Sequence, residues 1–415
     1  MATVVLIGTL DTKGDEYGFV RERLRTAGIE SVLVDVGVLG EPRLLPDIGR
    51  GQVAEAAGTT ITALVTANDR GAAIEVMARG AAKVVVDLYA GGRLDGIVGL
   101  GGSGGSALIA AAMQALPVGV PKLLVSTVAS GDTRPYVGTS DVTMMYSVVD
   151  IAGINRISEQ ILANAAGAIA GMARARASFT PRAANRPLIG ATMFGVTTPC
   201  VTHARERLES LGYEVLVFHA TGVGGQAMER LIADGFIAAA LDSTTTELAD
   251  ELVGGVFSAG SDRLSAAGRA GIPQVVSLGA LDMVNFGPMD TVPDRFRDRL
   301  LYRHNPTITL MRTTPEESAE LGRRLATRLN AGTGLVTLFV PLRGISLIAT
   351  EGEVFHDPAA DAALLGALRE TIDPDVVDVR ELDLDINDPA FAEAMADRLH
   401  ELHQRVTDKT GRAGQ

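Results

Sequence analysis

Two glycine-rich loops hold the residues best suited to chemistry in this sequence. The first is Gly8-Thr9-Leu10-Asp11-Thr12-Lys13-Gly14, directly after a short apolar run. Its small residues admit close backbone approach, Lys13 offers a cation for a phosphate, and Asp11 offers a carboxylate for Mg2+. The GxxxxGK[ST] pattern of a Walker A loop is absent. A plain βα turn with a capping Thr or Asp is the competing reading. The second loop is Leu100-Gly101-Gly102-Ser103-Gly104-Gly105-Ser106, leading into an alanine-rich segment. Its glycines expose successive N–H groups where a helix begins, and the helix dipole favours an anion there. The loop departs from GxGxxG and lacks an evident acidic partner for an NAD ribose, so it reads as a phosphate nest. Tight helix–sheet packing is the alternative.

A third loop, Val125–Asp132, places Ser126, Ser130 and Gly131 for phosphate contact and Asp132 for metal or ribose, although such residues are also ordinary loop composition. Further along, Phe218-His219-Ala220-Thr221-Gly222-Val223-Gly224-Gly225 repeats the strand-then-glycine pattern. His219 is its candidate acid/base, with Thr221, Gly222, Gly224 and Gly225 as substrate contacts. Asp242-Ser243-Thr244-Thr245-Thr246-Glu247 adds Asp242 as a general base or metal ligand, and Thr244 and Thr245 as substrate contacts; helix capping competes. Arg312 and Arg343 follow apolar runs, and Arg312 has the fork to clamp a carboxylate or phosphate. HExxH does not occur.

These loops need a scaffold of alternating strands and helices. Strands are expected at Val4–Ile7, Val32–Val36, Ala63–Thr66, Gly96–Leu100 and Lys122–Ser126, with helices at Glu16–Ala27, Gly71–Tyr89, Ser106–Ala115 and Ile154–Met172. After a polar, proline-punctuated linker the pattern restarts, with strands at Leu188–Met193, Glu214–Phe218, Phe236–Leu241, Gln274–Ser277, Thr307–Met311 and Leu335–Val340. The fold class is α/β: two Rossmann-like, doubly wound lobes with mainly parallel sheets and a cleft between them. The expected domains are 1–175, a linker at 176–187, and 188–415, with the last helix as a candidate to pack back on the first lobe.

With 37 basic and 50 acidic residues the net charge is −13, which argues against a nucleic-acid binder. Cys200 is the only cysteine, so an intrachain disulfide and a cysteine metal cluster are excluded. No apolar run reaches a membrane span and the N-terminus lacks a signal-peptide pattern, so the cytoplasm is the expected compartment.

Longer stretches are more specific than any loop. GTLDTKGDEYGFV, GLGGSGGSALI, MMYSVVDIAGIN, PLIGATMFGVTTPCV, GYEVLVFHATGVGGQAME and HNPTITLMRTTPEE resemble a family of uncharacterised bacterial and plant proteins. Its best-known member is the N-terminal, ATP-binding inhibitory domain of a tomato mosaic virus resistance protein. The resemblance implies two Rossmann-like lobes, ATP as ligand, and self-association as a homodimer. Some relatives carry an added TIM-barrel domain, which makes a separately encoded TIM-barrel protein a candidate partner. The leading expectation is an ATP-dependent enzyme acting on a small metabolite, with Mg2+ on Asp11 and Asp132. The alternatives are a nucleotide-responsive regulatory protein and a sugar-nucleotide transferase or epimerase.

Overall fold

Short runs of β-branched and apolar residues form strands here, and alanine-rich stretches form helices. The computed structural model describes residues 2–180 and 186–413. The chain divides into two compact units, Met1–Arg182 and Ala183–Gln415. Of the linker expected at 176–187, residues 181–185 lie outside the described residues, and Arg176–Ser178 still belong to a helix.

The first unit runs β1 (Thr3–Gly8), α1 (Leu10–Thr26), β2 (Glu30–Asp35), α2 (Arg50–Ala56), α3 (Ile61–Ala67), α4 (Arg70–Ala90), β3 (Gly96–Gly101), α5 (Ser103–Gln114), β4 (Lys122–Ser126), α6 (Arg134–Val137), β5 (Thr143–Tyr146) and α7 (Arg156–Ser178). Its strands are all parallel, in the order β2-β1-β3-β4-β5. Helices cover both faces, which is why β1 is apolar at every inner position. Val4 and Leu6 pack toward α1 and α7, whereas Val5 and Ile7 pack toward α4 and α5. Ala63–Thr66, expected as a strand, lies in helix α3. Thr60 caps its start by accepting the Ala63 N–H, and Asn68 ends it in the left-handed region (φ 49°). Local capping decides the conformation of an alanine-containing run that has no strand periodicity.

The strand order reverses at β1, so the carboxyl ends of β1 and β3 diverge. The β1–β3 ladder ends at the pair Ile7–Gly99. Immediately beyond it, the Tyr17 hydroxyl donates to the Ile7 carbonyl (2.5 Å) and accepts the Leu100 N–H (2.7 Å). A side chain thus takes the place of the next rung of the ladder. Gly8 is required beside it, because a Cβ there would sit 1.9 Å from the Tyr17 oxygen.

The second unit runs β6 (Leu188–Met193), α8 (Thr198–Ser210), β7 (Glu214–His219), α9 (Val223–Ala233), β8 (Ala239–Thr244), α10 (Glu247–Val253), α11 (Ala266–Ala270), β9 (Gln274–Gly279), β10 (Met283–Phe286), β11 (Leu301–Asn305), β12 (Ile308–Arg312), α12 (Pro315–Asn330), β13 (Val336–Pro341), α13 (Pro358–Thr371), β14 (Val377–Leu382) and α14 (Pro389–Ala413). Six parallel strands lie in the order β14-β13-β9-β8-β6-β7, and β10-β12-β11 form a separate antiparallel sheet. The strand expected near Thr307–Met311 is the centre of that small sheet. Helix α14 lays Phe391, Met395, Leu399 and Leu402 on Val275 and Phe339 of its own unit's sheet, so the apolar face considered for the first lobe is committed here.

Replacing Tyr17 with Phe leaves the Ile7 carbonyl and the Leu100 N–H buried without this partner. We expect Tyr17→Phe to lower the unfolding free energy by ~1–3 kcal/mol, measured by urea titration. An unchanged midpoint and slope would refute the bridging role.

Candidate functional site

The diverging ends of β1 and β3 open into a pocket of about 460 Å³. Thr9, Asp11, Thr12 and Lys13 line it from the first loop, and Gly102, Ser103, Gly104 and Gly105 from the second. The two loops singled out by composition therefore meet in one place. Their conformations differ from expectation. Helix α1 begins at Leu10, so most of the first "loop" is a helical turn, interrupted at Lys13 (φ −127°, ψ 24°). Gly14 is a packing glycine, since a Cβ there would lie 2.8 Å from Arg43 Cβ.

The second loop separates into packing and open positions. A Cβ on Gly101 would clash with the Ser106 nitrogen at 2.7 Å, so that glycine is needed for close helix–strand approach. Gly105 has nothing within 4 Å of a Cβ, and Gly102 has only Thr127 Oγ1 at 3.8 Å. No packing demand explains those two. Ser103, Gly104 and Gly105 form the first turn of the twelve-residue α5, where N–H groups have no intrahelical acceptor.

The cations are arranged unexpectedly. Lys13 Nζ donates to the Ile151 carbonyl at 2.5 Å, which ties it to the segment after β5. Arg70, the first residue of α4, lines the pocket, and its Nη2 lies 3.8 Å from the position of a Gly104 Cβ. It is exposed and makes no ion pair among the described residues. Sequence reading missed Arg70. Its only local signal is the Asp69 N-cap before it, which accepts the Ala72 N–H. The opposite wall is apolar, from Val36, Val38, Leu39, Leu64, Val65 and Ile74. Leu39 is 81% exposed and Val65 52%.

Asp11 holds this wall in place. Its Oδ2 accepts the Gly40 N–H (3.0 Å), while its Oδ1 is buried without a partner. Asp35 accepts the Leu10 and Gly37 N–H groups, and burial raises its carboxyl above the usual range. Asp132 is outside the pocket, exposed and paired with Arg134, whose guanidinium holds its carboxyl down at about 2. Asp11 lines the pocket and Asp132 does not, and among the described residues no three His, Cys, Asp or Glu side chains gather to hold a metal. Ser126 is buried, with its Oγ 2.6 Å from Ser106 Oγ, stapling β4 to the start of α5. Ser130 and Gly131 lie on an exposed turn outside the pocket.

The second-unit candidates are mostly internal. Arg263 is fully buried and binds Asp242 through two bonds (2.5 and 2.6 Å), Glu247 (2.6 Å) and Glu229 (3.3 Å). Asp242 also accepts from Thr192 Oγ1 (2.7 Å), so both of its oxygens have internal donors. Glu247 in turn receives the Gly222 and Gly225 N–H groups, and a Cβ on Gly225 would lie 2.0 Å from its Oε2. Gly224 is packed against the His219 carbonyl. These glycines are shaped by the buried carboxylate beneath them, and not by an open anion nest.

Thr244 pairs with Thr197 and Thr245 donates to the Ser277 carbonyl, both fully buried. His219 is exposed, stacked on Phe194 with ring centroids 5.5 Å apart, and Thr221 donates to its carbonyl. Arg312 is buried and bonded to the Phe355 carbonyl and to Asp361, so its fork is occupied. Arg343 is exposed and bidentate on Asp383. The structure does not gather these residues into one site. Sequence alone gave no pairing between Asp242 and Arg263, because that contact needs the fold.

Residues 2–178 match the model of the N-terminal domain of Uncharacterised protein family (UPF0261), and residues 186–403 match its C-terminal domain. A UPF0261 protein of Clostridium tetani is 53% identical over 95% of this chain and 98% of its own length. The tomato (Solanum lycopersicum) ToMV resistance protein Tm-1(GCR237) is 40% identical over 96% of this chain, which spans 55% of that longer protein. Among solved structures, the Streptomyces sp. SF2575 glycosyltransferase SsfS6, complexed with thymidine diphosphate, aligns at 12% identity over 96% of this chain and 100% of its own, with a TM-score of 0.16. A likeness of that size carries no functional argument. No described helix is long and apolar enough to cross a membrane.

Two outcomes follow from the buried charges. Arg263→Leu strands Asp242 and Glu247 without their cation, and we expect a loss of ~3–5 kcal/mol in denaturant melts, as for a broken buried pair; a loss below about 1 kcal/mol would contradict the internal role. Asp250 is buried, accepts the Asn285 and Phe257 N–H groups, and is pushed up to about 7 by desolvation. A carboxyl raised on folding binds its proton more tightly in the folded chain. Its contribution is therefore full below about pH 4 and is lost as pH rises through about 7. The stability of wild type relative to Asp250→Asn should fall between pH 4.5 and 7.5; a flat or rising difference would contradict the shift.

Proposed function

The chain belongs to the UPF0261 family, and on that premise we propose that it is an ATP-binding protein whose first unit holds the nucleotide between β1 and β3, for use on a small metabolite. One observation carries the reading. At the first turn of α5, a Cβ on Gly105 would meet nothing within 4 Å and one on Gly102 only Thr127 Oγ1 at 3.8 Å, so packing asks for no glycine at either. A bare backbone at a helix start, inside a crevice at a topological switch point, suits phosphate oxygens.

The rest of the pocket supports the same ligand. Arg70 stands over Gly104 with its charge unpaired among the described residues, and takes the phosphate role that was expected of Lys13. A guanidinium suits phosphate through two parallel N–H donors. The exposed apolar side chains of Leu39 and Val65 would be covered by a purine ring on the opposite wall. Asp11 positions that wall by holding Gly40. Among the described residues no cluster of three carboxylates gathers to hold Mg2+, and the reading rests on none.

Isothermal titration tests the proposal. Wild type should bind ATP, with AMP weaker because it makes fewer contacts at the helix start. Gly102→Val should weaken ATP at least about tenfold, or about 1.4 kcal/mol. Arg70→Ala should weaken it by a smaller factor. Absence of ATP binding by wild type, or unchanged affinity in both variants, would sink the reading. A clear preference for a uridine diphosphate sugar would favour a sugar-nucleotide enzyme instead.

A further inference from the structure

The stretch MMYSVVDIAGIN, conspicuous in the sequence, is not used by the nucleotide reading. In the structure it forms a second cavity, of about 260 Å³, beyond the ends of β4 and β5. The last rung of that ladder is Ser126–Tyr146, after which the Ser147 N–H donates to the Ser126 carbonyl. The chain then turns within three residues. The Val149 N–H donates back to the Ser147 carbonyl (2.6 Å), and Val148 between them has φ +61°. A β-branched residue is disfavoured in that region, and strain of this kind persists only where neighbours fix it. Ser147 Oγ fixes it by donating to the Val149 carbonyl at 2.7 Å.

The turn sets Asp150 at the cavity. One oxygen of its exposed carboxylate accepts the Ile151 N–H, and the other has no partner among the described residues. Thr127 contributes a hydroxyl that likewise makes no hydrogen bond among the described residues. Tyr146, 44% exposed, and Val148, 59% exposed, complete a partly apolar rim. Two contacts lock the following segment to α1: Lys13 Nζ on the Ile151 carbonyl, and the Gly153 N–H on Glu16 Oε1 at 2.6 Å. Lys13 lines the first pocket, so the segment that follows the turn is tied to a residue of that pocket. Thr127 Oγ1 also lies 3.8 Å from where a Gly102 Cβ would be, which puts the second cavity beside the start of α5.

The lining side chains supply one carboxylate and no cation, so the cavity disfavours anions and suits donors. We propose that it is a second ligand site, taking a small hydroxyl- or amine-bearing molecule without net negative charge, held between Thr127 and Asp150. The site stands on its own geometry; only its position next to a phosphate end rests on the nucleotide reading.

Saturation-transfer NMR on the full chain tests it with a matched pair of probes, ethanolamine and glycolate. The first joins its hydroxyl to an amine and the second to a carboxylate. Ethanolamine should show transfer from wild type and glycolate none. Asp150→Asn and Thr127→Val should each reduce the ethanolamine signal at least fivefold, with folding confirmed by an unchanged thermal midpoint. Equal signals from the two probes, no ethanolamine signal, or a signal surviving both substitutions would overturn the proposal. If wild type ignores ATP while ethanolamine still binds through Asp150, the nucleotide reading falls and this site stands.

Discussion

The first unit depends on one hydroxyl. Tyr17 sits where the β1–β3 ladder stops, and it satisfies the carbonyl of one strand and the N–H of the other. Buried backbone groups left unpaired cost on the order of 1–3 kcal/mol each, so strand ends cannot simply part inside a core. The phenol lets them part at no such cost. It comes from α1, so the helix that follows β1 wedges the crevice that β1 helps to form. Burial in turn keeps the phenol protonated, well above its usual range. Gly8 makes room for the ring, and the opening leaves the start of α5 facing the pocket.

The second unit has the same strand reversal, at β6 between β7 and β8, and treats it differently. Thr192 on β6 donates to Asp242 on β8 and accepts the Thr244 N–H, and Arg263 closes over the carboxylate. A charge network fills the position that a phenol holds open in the first unit. A buried arginine with three carboxylate partners fixes geometry more than it adds stability. That is why Glu247 can order the Gly222–Gly225 turn from below. Topology alone therefore does not make a site, and what lies at the switch point decides whether there is one.

Much of this was legible in the sequence, for physical reasons. Strands buried on both faces read as continuous apolar runs, and glycines at strand ends marked the turns of a parallel sheet. Thr9–Lys13 and Gly102–Gly105 both follow strands, and in a parallel sheet such loops share the carboxyl edge. What escaped were long-range pairings. Lys13 looked like the phosphate cation because it was near glycines in sequence, but a carbonyl more than a hundred residues away holds it. Arg70 looked like an ordinary helix residue. Asp242, Arg312 and the 222–225 glycines had the residue types of a site, yet burial gave them internal partners. Ala63–Thr66 failed as a strand because capping at Thr60 and Asn68 overrode composition.

The central claim is that the open helix start of α5 is where this protein holds a nucleotide's phosphates. Hydrogen–deuterium exchange of the full chain with and without ATP tests it directly. The account predicts slowed exchange concentrated at the amides of Gly102–Ser106 and around Arg70, with the 219–225 turn unchanged. Protection at 219–225 in place of α5, or none in either, would contradict it.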